Sequence, residues 1–285
     1  MNIKKHIPNA ITCGNLICGS LAIVQVFQGN LVWAACLVGI ALVLDFFDGF
    51  TARMLKVASP IGKDLDSLAD MVTFGVVPGM VMYRLISNWT NFFVGVTTDQ
   101  PNDIGGKPNF SFEFSGVNME AFFCSPYLKY AGLIIIVFSA IRLAKFNNDT
   151  RQSDSFIGLP TPANAMIICS IPLIGMQLNE SVSQIPNQFQ TEDPGNIYAY
   201  ADLSPVGPHW LVLGSIVLSF LLVAEIPLFA LKFKNFSWAD NKLVYCFLIV
   251  SVALFVSLKF VAIPLVILLY ILASIVNNIF LKKKV

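Results

Sequence analysis

The stretch LVWAACLVGIALVLDFFDGFTARMLK, residues 31–56, decides how the rest of the chain is to be understood. From Leu31 to Leu44 it carries no charge; then Asp45, Asp48 and Arg53 arrive within the same helical length. A helix needs about 20 apolar residues to cross a hydrocarbon core of about 30 Å, so these residues predict a membrane span with an acidic end. An aspartate at the centre of a span costs about 2.5–3.5 kcal/mol on insertion scales. Asp45 and Asp48 stand i, i+3 and therefore share one helix face. Such a face needs compensation from elsewhere in the protein.

Working outward, apolar runs of comparable length recur at 10–28, 67–88, 127–147, 161–178, 209–231, 241–257 and 259–281. With 31–56 they predict an all-α, polytopic transmembrane helix bundle of about eight spans. The last two, parted only by Ser257-Leu258-Lys259, predict a tight helical hairpin, with one long bent helix as the alternative. Two longer polar stretches remain, about 89–126 and 179–208. The chain shows no internal repeat and no stretch that would stand alone as a soluble domain, so residues 1–285 are expected to form one integral-membrane domain.

Composition agrees. Of the 285 residues, 56% are hydrophobic and only 12% charged, and the mean hydropathy is +0.71. An ordinary soluble domain carries about 25% charged residues. A net charge of +1 and 24 phenylalanines exclude disorder, a nucleic-acid-binding surface and a secreted disulfide scaffold. The six cysteines form no Cys-x-x-Cys pair, and all but Cys124 fall in apolar runs, as small core residues would. No Ala-x-Ala-like cleavage site follows the first run, which is expected to be retained.

Lysine and arginine beside spans stay in the cytoplasm. With eight spans the termini share a side, and that side holds 14 of the 18 basic residues: Lys4, Lys5, Arg53, Lys56, Lys63, Arg142, Lys145, Arg151, Lys232, Lys234, Lys242, Lys282, Lys283 and Lys284. Arg84, Lys107, Lys129 and Lys259 fall on the other. The stretch 179–208 has no Lys or Arg at all. Both termini are therefore expected in the cytoplasm.

A second acidic string, GKDLDSLAD at residues 62–70, opens the third span. Asp66 and Asp70 stand i, i+4, again on one face. A short cytoplasmic turn around Ser59-Pro60 would bring the two acidic faces together. Clustered carboxylates repel unless a hard divalent ion lies among them, and oxygen-only ligation suits Mg²⁺ or Mn²⁺. His6 and His209 are too remote to make a zinc site. Gly49 and Ala52 strip side chains from the helix surface beside Asp48, and Arg53 adds a fork for phosphate oxygens. A polar stripe of Asn9, Thr12 and Asn15, continued by Gly19, runs up the first span and fits either interhelical hydrogen bonds or ligand contact. Intramembrane acids also mark ion paths, but here they cluster at one end of the membrane with no acidic counterpart on the far half, which argues against a divalent-cation transporter.

The string Asp45-x2-Asp48-Gly49-x2-Ala52-Arg53-x8-Gly62-x3-Asp66-x3-Asp70 resembles, without departure, the signature of the CDP-alcohol phosphatidyltransferases. Within that family the likeness is greatest to the bacterial and archaeal type II phosphatidylserine synthases, and it covers about residues 7–165. It is carried further by Ile7-Pro8-Asn9-Ala10-Ile11-Thr12, by Thr73-Phe74-Gly75 and Pro78, by Arg142-Leu143-Ala144-Lys145-Phe146-Asn147, and by Gly158-Leu159-Pro160-Thr161-Pro162-Ala163. Where those enzymes often have Ser and Arg, this chain has Thr73 and Lys145.

The resemblance implies a catalytic region at 1–165, additional C-terminal spans at 205–285, and a multi-pass protein of the cytoplasmic membrane with its active site facing the cytoplasm. It implies transfer of the phosphatidyl group of CDP-diacylglycerol to the hydroxyl of L-serine, giving phosphatidylserine and CMP by in-line attack without a covalent enzyme intermediate. Asp45, Asp48, Asp66 and Asp70 would hold the metal, with two ions expected, and Asp70 would take the acceptor proton. Gly49, Ala52, Arg53, Ser59, Gly62, Asn9 and Thr12 would line the CDP-diacylglycerol pocket. A homodimer embedded in membrane lipid is also implied. Serine arrives as a zwitterion, so its carboxylate needs a cation; Arg142 and Lys145, i, i+3 on the fourth span, are the candidates. The leading alternative acceptor is glycerol 3-phosphate, giving phosphatidylglycerophosphate.

Overall fold

The computed structural model describes residues 6–57, 59–98, 113–114, 117–118, 125, 127–148, 156–183, 206–228 and 242–281. Most of the polar stretches 89–126 and 179–208 lies outside these residues, as do Lys4, Lys5, Arg151, Lys232, Lys234 and the last four positions.

Helix occupies every one of the eight apolar runs. In chain order these are α1 (His6–Phe27), α2 (Leu31–Leu55), α3 (Pro60–Asp70), a π-helical turn (Met71–Val76) that leads into α4 (Val77–Thr98), a 3₁₀ segment (Leu128–Leu133) that leads into α5 (Ile134–Asn148), then α6 (Thr161–Ser183), α7 (Pro208–Val223), α8 (Lys242–Leu258) and α9 (Ala262–Leu281). Five stretches are long and apolar enough to cross a membrane: His6–Phe27, Leu31–Leu55, Pro60–Thr90, Thr161–Leu178 and Val244–Asn277; Pro208–Val223 is a shorter apolar helix. Among the described residues, β-structure is confined to two-residue antiparallel pairings, one of which ties Phe156–Ile157 to Pro227–Leu228.

The helices are arranged inside out relative to those of a soluble protein. The buried positions of α1 are Pro8, Thr12, Asn15, Gly19, Ala22 and Val26, a stripe of polar and small residues at helical spacing. Its large apolar residues Ile17, Leu21, Val24 and Phe27 face outward. Lipid is as apolar as leucine, so burial of large side chains drives helix association little, and small residues that let backbones approach do more. α1 and α2 accordingly pack along their lengths on Ala22, Val26, Ala34, Ala35, Val38 and Ala41. The same logic sets α4 against the 3₁₀ segment: a Cβ on Gly132 would stand 2.6 Å from the Tyr83 nitrogen.

The cysteines depart from the expectation that they are core residues. Cys169 is buried, but Cys13, Cys36 and Cys246 are exposed. A thiol is apolar enough to face lipid, so an apolar run alone does not say which side of a helix it occupies.

At the end of the chain, Phe247 and Tyr270 place their rings 5.8 Å apart. Residues this far on either side of Lys259 meet only if the chain folds back, so α8 and α9 form the expected hairpin. The turn is made by Lys259 at φ 50° and is clasped by Gln177 of α6, which accepts from the Phe260 nitrogen at 3.0 Å and donates to the Leu258 carbonyl at 3.3 Å.

Candidate active site

Two turns bring the acidic faces together. α2 ends on Lys56 in the left-handed conformation at φ 54°, its nitrogen returning to the Arg53 carbonyl at 3.2 Å. Ser59 then caps α3, accepting from the Gly62 nitrogen at 3.1 Å, and Pro60 fills the first helical position, where no amide hydrogen is required. Beyond this short connection α2 and α3 both pack on α1.

Carboxylate oxygens of Asp45, Asp48 and Asp66 consequently lie within 4.8 Å of one another. Asp48 is buried, and Asp66 Oδ1 is buried with no hydrogen-bond partner among the described residues. A buried carboxylate oxygen left unpaired is costly, and three converging carboxylates with one such orphan suit a hard divalent cation. Asp70 is not one of the three. Its carboxyl forms a side-chain hydrogen bond with that of Asp45 and accepts from Asn15 Nδ2 at 3.5 Å.

The stripe on α1 is thereby accounted for. Thr12 Oγ1 lies 2.6 Å from Asp48 Oδ2 and 3.1 Å from the Pro8 carbonyl, so its single proton goes to the carboxylate. Asn15 reaches Asp70, and the Asn15 carbonyl accepts from Thr73 Oγ1 at 3.3 Å. Thr12 and Asn15 thus grip one carboxylate on each of the two acidic helices. Gly19 permits this approach, because a Cβ there would collide with the Thr73 side chain. Gly19→Val is expected to force α1 off the π-turn, at a cost of about 1–3 kcal/mol from overpacking, and to lower the thermal midpoint of the detergent-purified protein.

Of the residues expected around CDP-diacylglycerol, Asn9, Ser59 and Gly62 meet: a Cβ on Gly62 would lie 3.0 Å from both Asn9 Oδ1 and Ser59 Oγ. Gly49 has only Arg53 Nη2 near its open face, at 3.9 Å, and Arg53 itself is exposed. Ala52 lies on the same helix, half-buried. Thr12 reaches the site through Asp48. Arg142 and Lys145 do not form a matched pair. Arg142 is 5% exposed, its guanidinium lies 5.3 Å from the Phe146 ring centre, and its Nε has no partner, whereas Lys145 is exposed. An interval of three leaves the two side chains about 60° apart around the helix, so the spacing by itself does not fix that both are buried or both exposed.

Spacing alone does not reveal that the C-terminal end of α5 is fastened to α3. Asn147 Nδ2 donates to Ser67 Oγ at 2.9 Å, and Lys63 Nζ donates to the Asn147 carbonyl at 3.4 Å. Ser67 follows Asp66 directly, so this clasp fixes the acidic helix beside Arg142. The π-turn begins immediately after Asp70, and such wide turns recur at functional sites.

The fold and the carboxylate cluster define a polytopic membrane protein with a candidate site for a hard divalent ion. The family model for CDP-alcohol phosphatidyltransferases matches residues 5–101. The chain is 33% identical over 163 residues to the CDP-diacylglycerol–serine O-phosphatidyltransferase of Bacillus subtilis strain 168, a match that covers 57% of this chain and 73% of that protein. It is 34% identical over 163 residues to the enzyme of the same name from Helicobacter pylori strain J99, covering 56% and 54%. To the archaetidylserine synthase of Methanothermobacter thermautotrophicus it is 27% identical over 182 residues, covering 61% and 63%. The chain therefore spans between about half and three quarters of the length of these relatives. It belongs to the CDP-alcohol phosphatidyltransferase family.

Proposed function

We propose that the protein transfers the phosphatidyl group of CDP-diacylglycerol to the hydroxyl of L-serine. The observation that carries this function is the gathering of Asp45, Asp48 and Asp66 with Asp70 set beside them; the names of the relatives support serine as acceptor.

In this reaction the serine hydroxyl oxygen attacks the phosphorus that bears diacylglycerol. The bond from that phosphorus to the oxygen shared with CMP breaks, and CMP leaves with the electron pair. The hydroxyl has a pKa far above 7, so its proton must pass to a positioned base as the new bond forms. Asp70 takes it, held by Asn15 on one oxygen. Asp45, Asp48 and Asp66, with Asp70 beside them, would hold one or two Mg²⁺ or Mn²⁺ ions. Ions held there would supply charge neutralisation of the pyrophosphate during in-line displacement. Arg53 and the bare surface at Gly49 and Ala52 receive the pyrophosphate, Asn9, Ser59 and Gly62 border the nucleotide end, and Arg142 binds the serine carboxylate, with Lys145 on the approach to it. The catalytic region is residues 1–165, and 205–285 add further spans.

The deciding experiment is an assay of purified protein with CDP-diacylglycerol, Mg²⁺ or Mn²⁺ and a panel of acceptor alcohols. Release of CMP with serine, and not with glycerol 3-phosphate or inositol, is the expected result; preference for glycerol 3-phosphate would make it a phosphatidylglycerophosphate synthase.

We further assign both termini and the acidic centre to the cytoplasmic side of the cell membrane, in a homodimer, with the cation distribution supporting the orientation. A reporter fused after Val285 is expected in the cytoplasm and one inserted near Asn187 outside it. Opposite labelling of the two would reverse the orientation and move the active site with it.

A further inference from the structure

Buried polar atoms are nearly always hydrogen-bonded, so those that are not mark places where something else belongs. Asn15 Oδ1 and Asp66 Oδ1 are two such atoms, and both belong to the acidic centre. Others lie away from it, among them Ser139 Oγ, Arg142 Nε, and both Oδ1 and Nδ2 of Asn164. Ser139 and Asn164 are 0% exposed and Arg142 is 5% exposed. A buried guanidinium and an amide with neither its donor nor its acceptor used are hard to reconcile with a packing role alone.

The fold sets Ser139 against the segment that follows Asp70, and Arg142 beside the loop that leads into the helix carrying Asn164. Ser139 and Arg142 are i, i+3 on α5. A Cβ on Gly75 of the π-turn would lie 3.2 Å from Ser139 Cβ, so this face of α5 meets the turn directly. Arg142 Nε lies 3.7 Å from where a Cβ of Gly158 would be, and Gly158 holds φ +78° at the loop leading into α6. Asn164 is in the first turn of α6, its nitrogen bonded to the Pro160 carbonyl at 3.1 Å, and α6 packs on the π-turn as well.

We propose that Ser139, Arg142 and Asn164 form the acceptor pocket and that Asn164 is the residue selecting a zwitterionic amino alcohol, a role that rests on the transferase function proposed above. An amide presents one donating and one accepting group whichever way it is turned. Its NH₂ donates to the acceptor's carboxylate beside Arg142 Nε, and its carbonyl accepts from the ammonium. Ser139 Oγ supplies a further contact to the same ligand. An acceptor with only one of the two charges leaves half of the amide unpaired, and sites with buried polar groups discriminate strongly against such ligands.

The test uses the full-length protein in lipid nanodiscs, with Asn164→Leu as a near-isosteric apolar replacement and Asn164→Ala as the second variant should Leu hinder insertion. Removing an amide that has no partner relieves its desolvation, so the ligand-free variant is expected to unfold at the same temperature as the parent or higher. Its KM for serine is expected to rise roughly 10- to 100-fold, the range for a lost hydrogen bond to a charged group. The KM for CDP-diacylglycerol should stay within about twofold, and the upward thermal shift that millimolar serine gives the parent should vanish. Two results would overturn the assignment: an unchanged serine KM and thermal shift, or an unfolding temperature that falls together with turnover for every acceptor, which would make Asn164 part of a structural network bridged by buried water. If the unmodified protein itself neither releases CMP with serine nor shifts with it, the serine-transferase function fails first, and the pocket assignment with it.

Discussion

Asp70→Asn is expected to lower turnover about 10²- to 10⁴-fold, the usual loss when a positioned general base is removed, without abolishing CDP-diacylglycerol binding. Asp45, Asp48 and Asp66 remain as a group, and Arg53 remains for the pyrophosphate. The amide of the variant still accepts from Asn15 Nδ2, so the contact between α1 and α3 survives and the protein should insert normally. Measuring kcat and the Mg²⁺ requirement on the same preparation separates base from ligand. If excess Mg²⁺ restores near-normal turnover, Asp70 is a ligand only, and the hydroxyl proton leaves by another route.

The second large effect is expected at Asp66. Its Oδ1 is buried in the acidic trio without a hydrogen-bond partner among the described residues. Asp66→Asn reduces repulsion among three crowded carboxylates and should leave the fold intact. On the proposed function it removes an anionic ligand, however, and even outer-shell partners of metals change affinity by about 10- to 100-fold. The Mg²⁺ concentration for half-maximal CMP release should rise by at least that much. Wild-type turnover at limiting Mg²⁺ would remove Asp66 from the ligand set.

Comparing these sites with the sequence shows which kinds of information a single chain exposes. Asp45, Asp48, Asp66 and Asp70 were readable because charges are expensive in an apolar run and because i, i+3 and i, i+4 intervals fix their faces. The short link through Ser59-Pro60 allows the two acidic faces to meet. The helix positions were readable from the apolar runs, and the hairpin at Lys259 from the shortness of its turn. Contacts between elements distant in sequence were not. Thr12 and Asn15 fitted two roles equally, and only the placement of α1 against both acidic helices shows that they hold carboxylates. Lys145 looked equivalent to Arg142 because an interval of three is compatible with a shared face; burial separates them. The π-turn at Met71–Val76 has no sequence mark, since an extra backbone step in a helix changes no residue type. Asn164 was invisible for a related reason: one asparagine near the start of an apolar helix reads as an ordinary interhelical contact until its surroundings prove to hold no partner.

The grip of α1 on the acidic helices also has a consequence for how the protein is made. Thr12 and its partner Asp48 are 36 residues apart, and Asn15 and Asp70 are 55 apart. Synthesis at about 5–20 residues per second leaves the first helix without its partners for roughly 2–11 s after it is made. During that interval two polar side chains wait in or beside the insertion machinery, and the newborn helix is held in the bilayer by Ile17, Leu21, Val24 and Phe27 on its opposite side. Biogenesis and catalysis thus impose opposite demands on the two faces of one helix: the lipid-facing residues must retain it alone, and the inward ones come into use in turn, Thr12 when α2 has followed it into the membrane and Asn15 when α3 has.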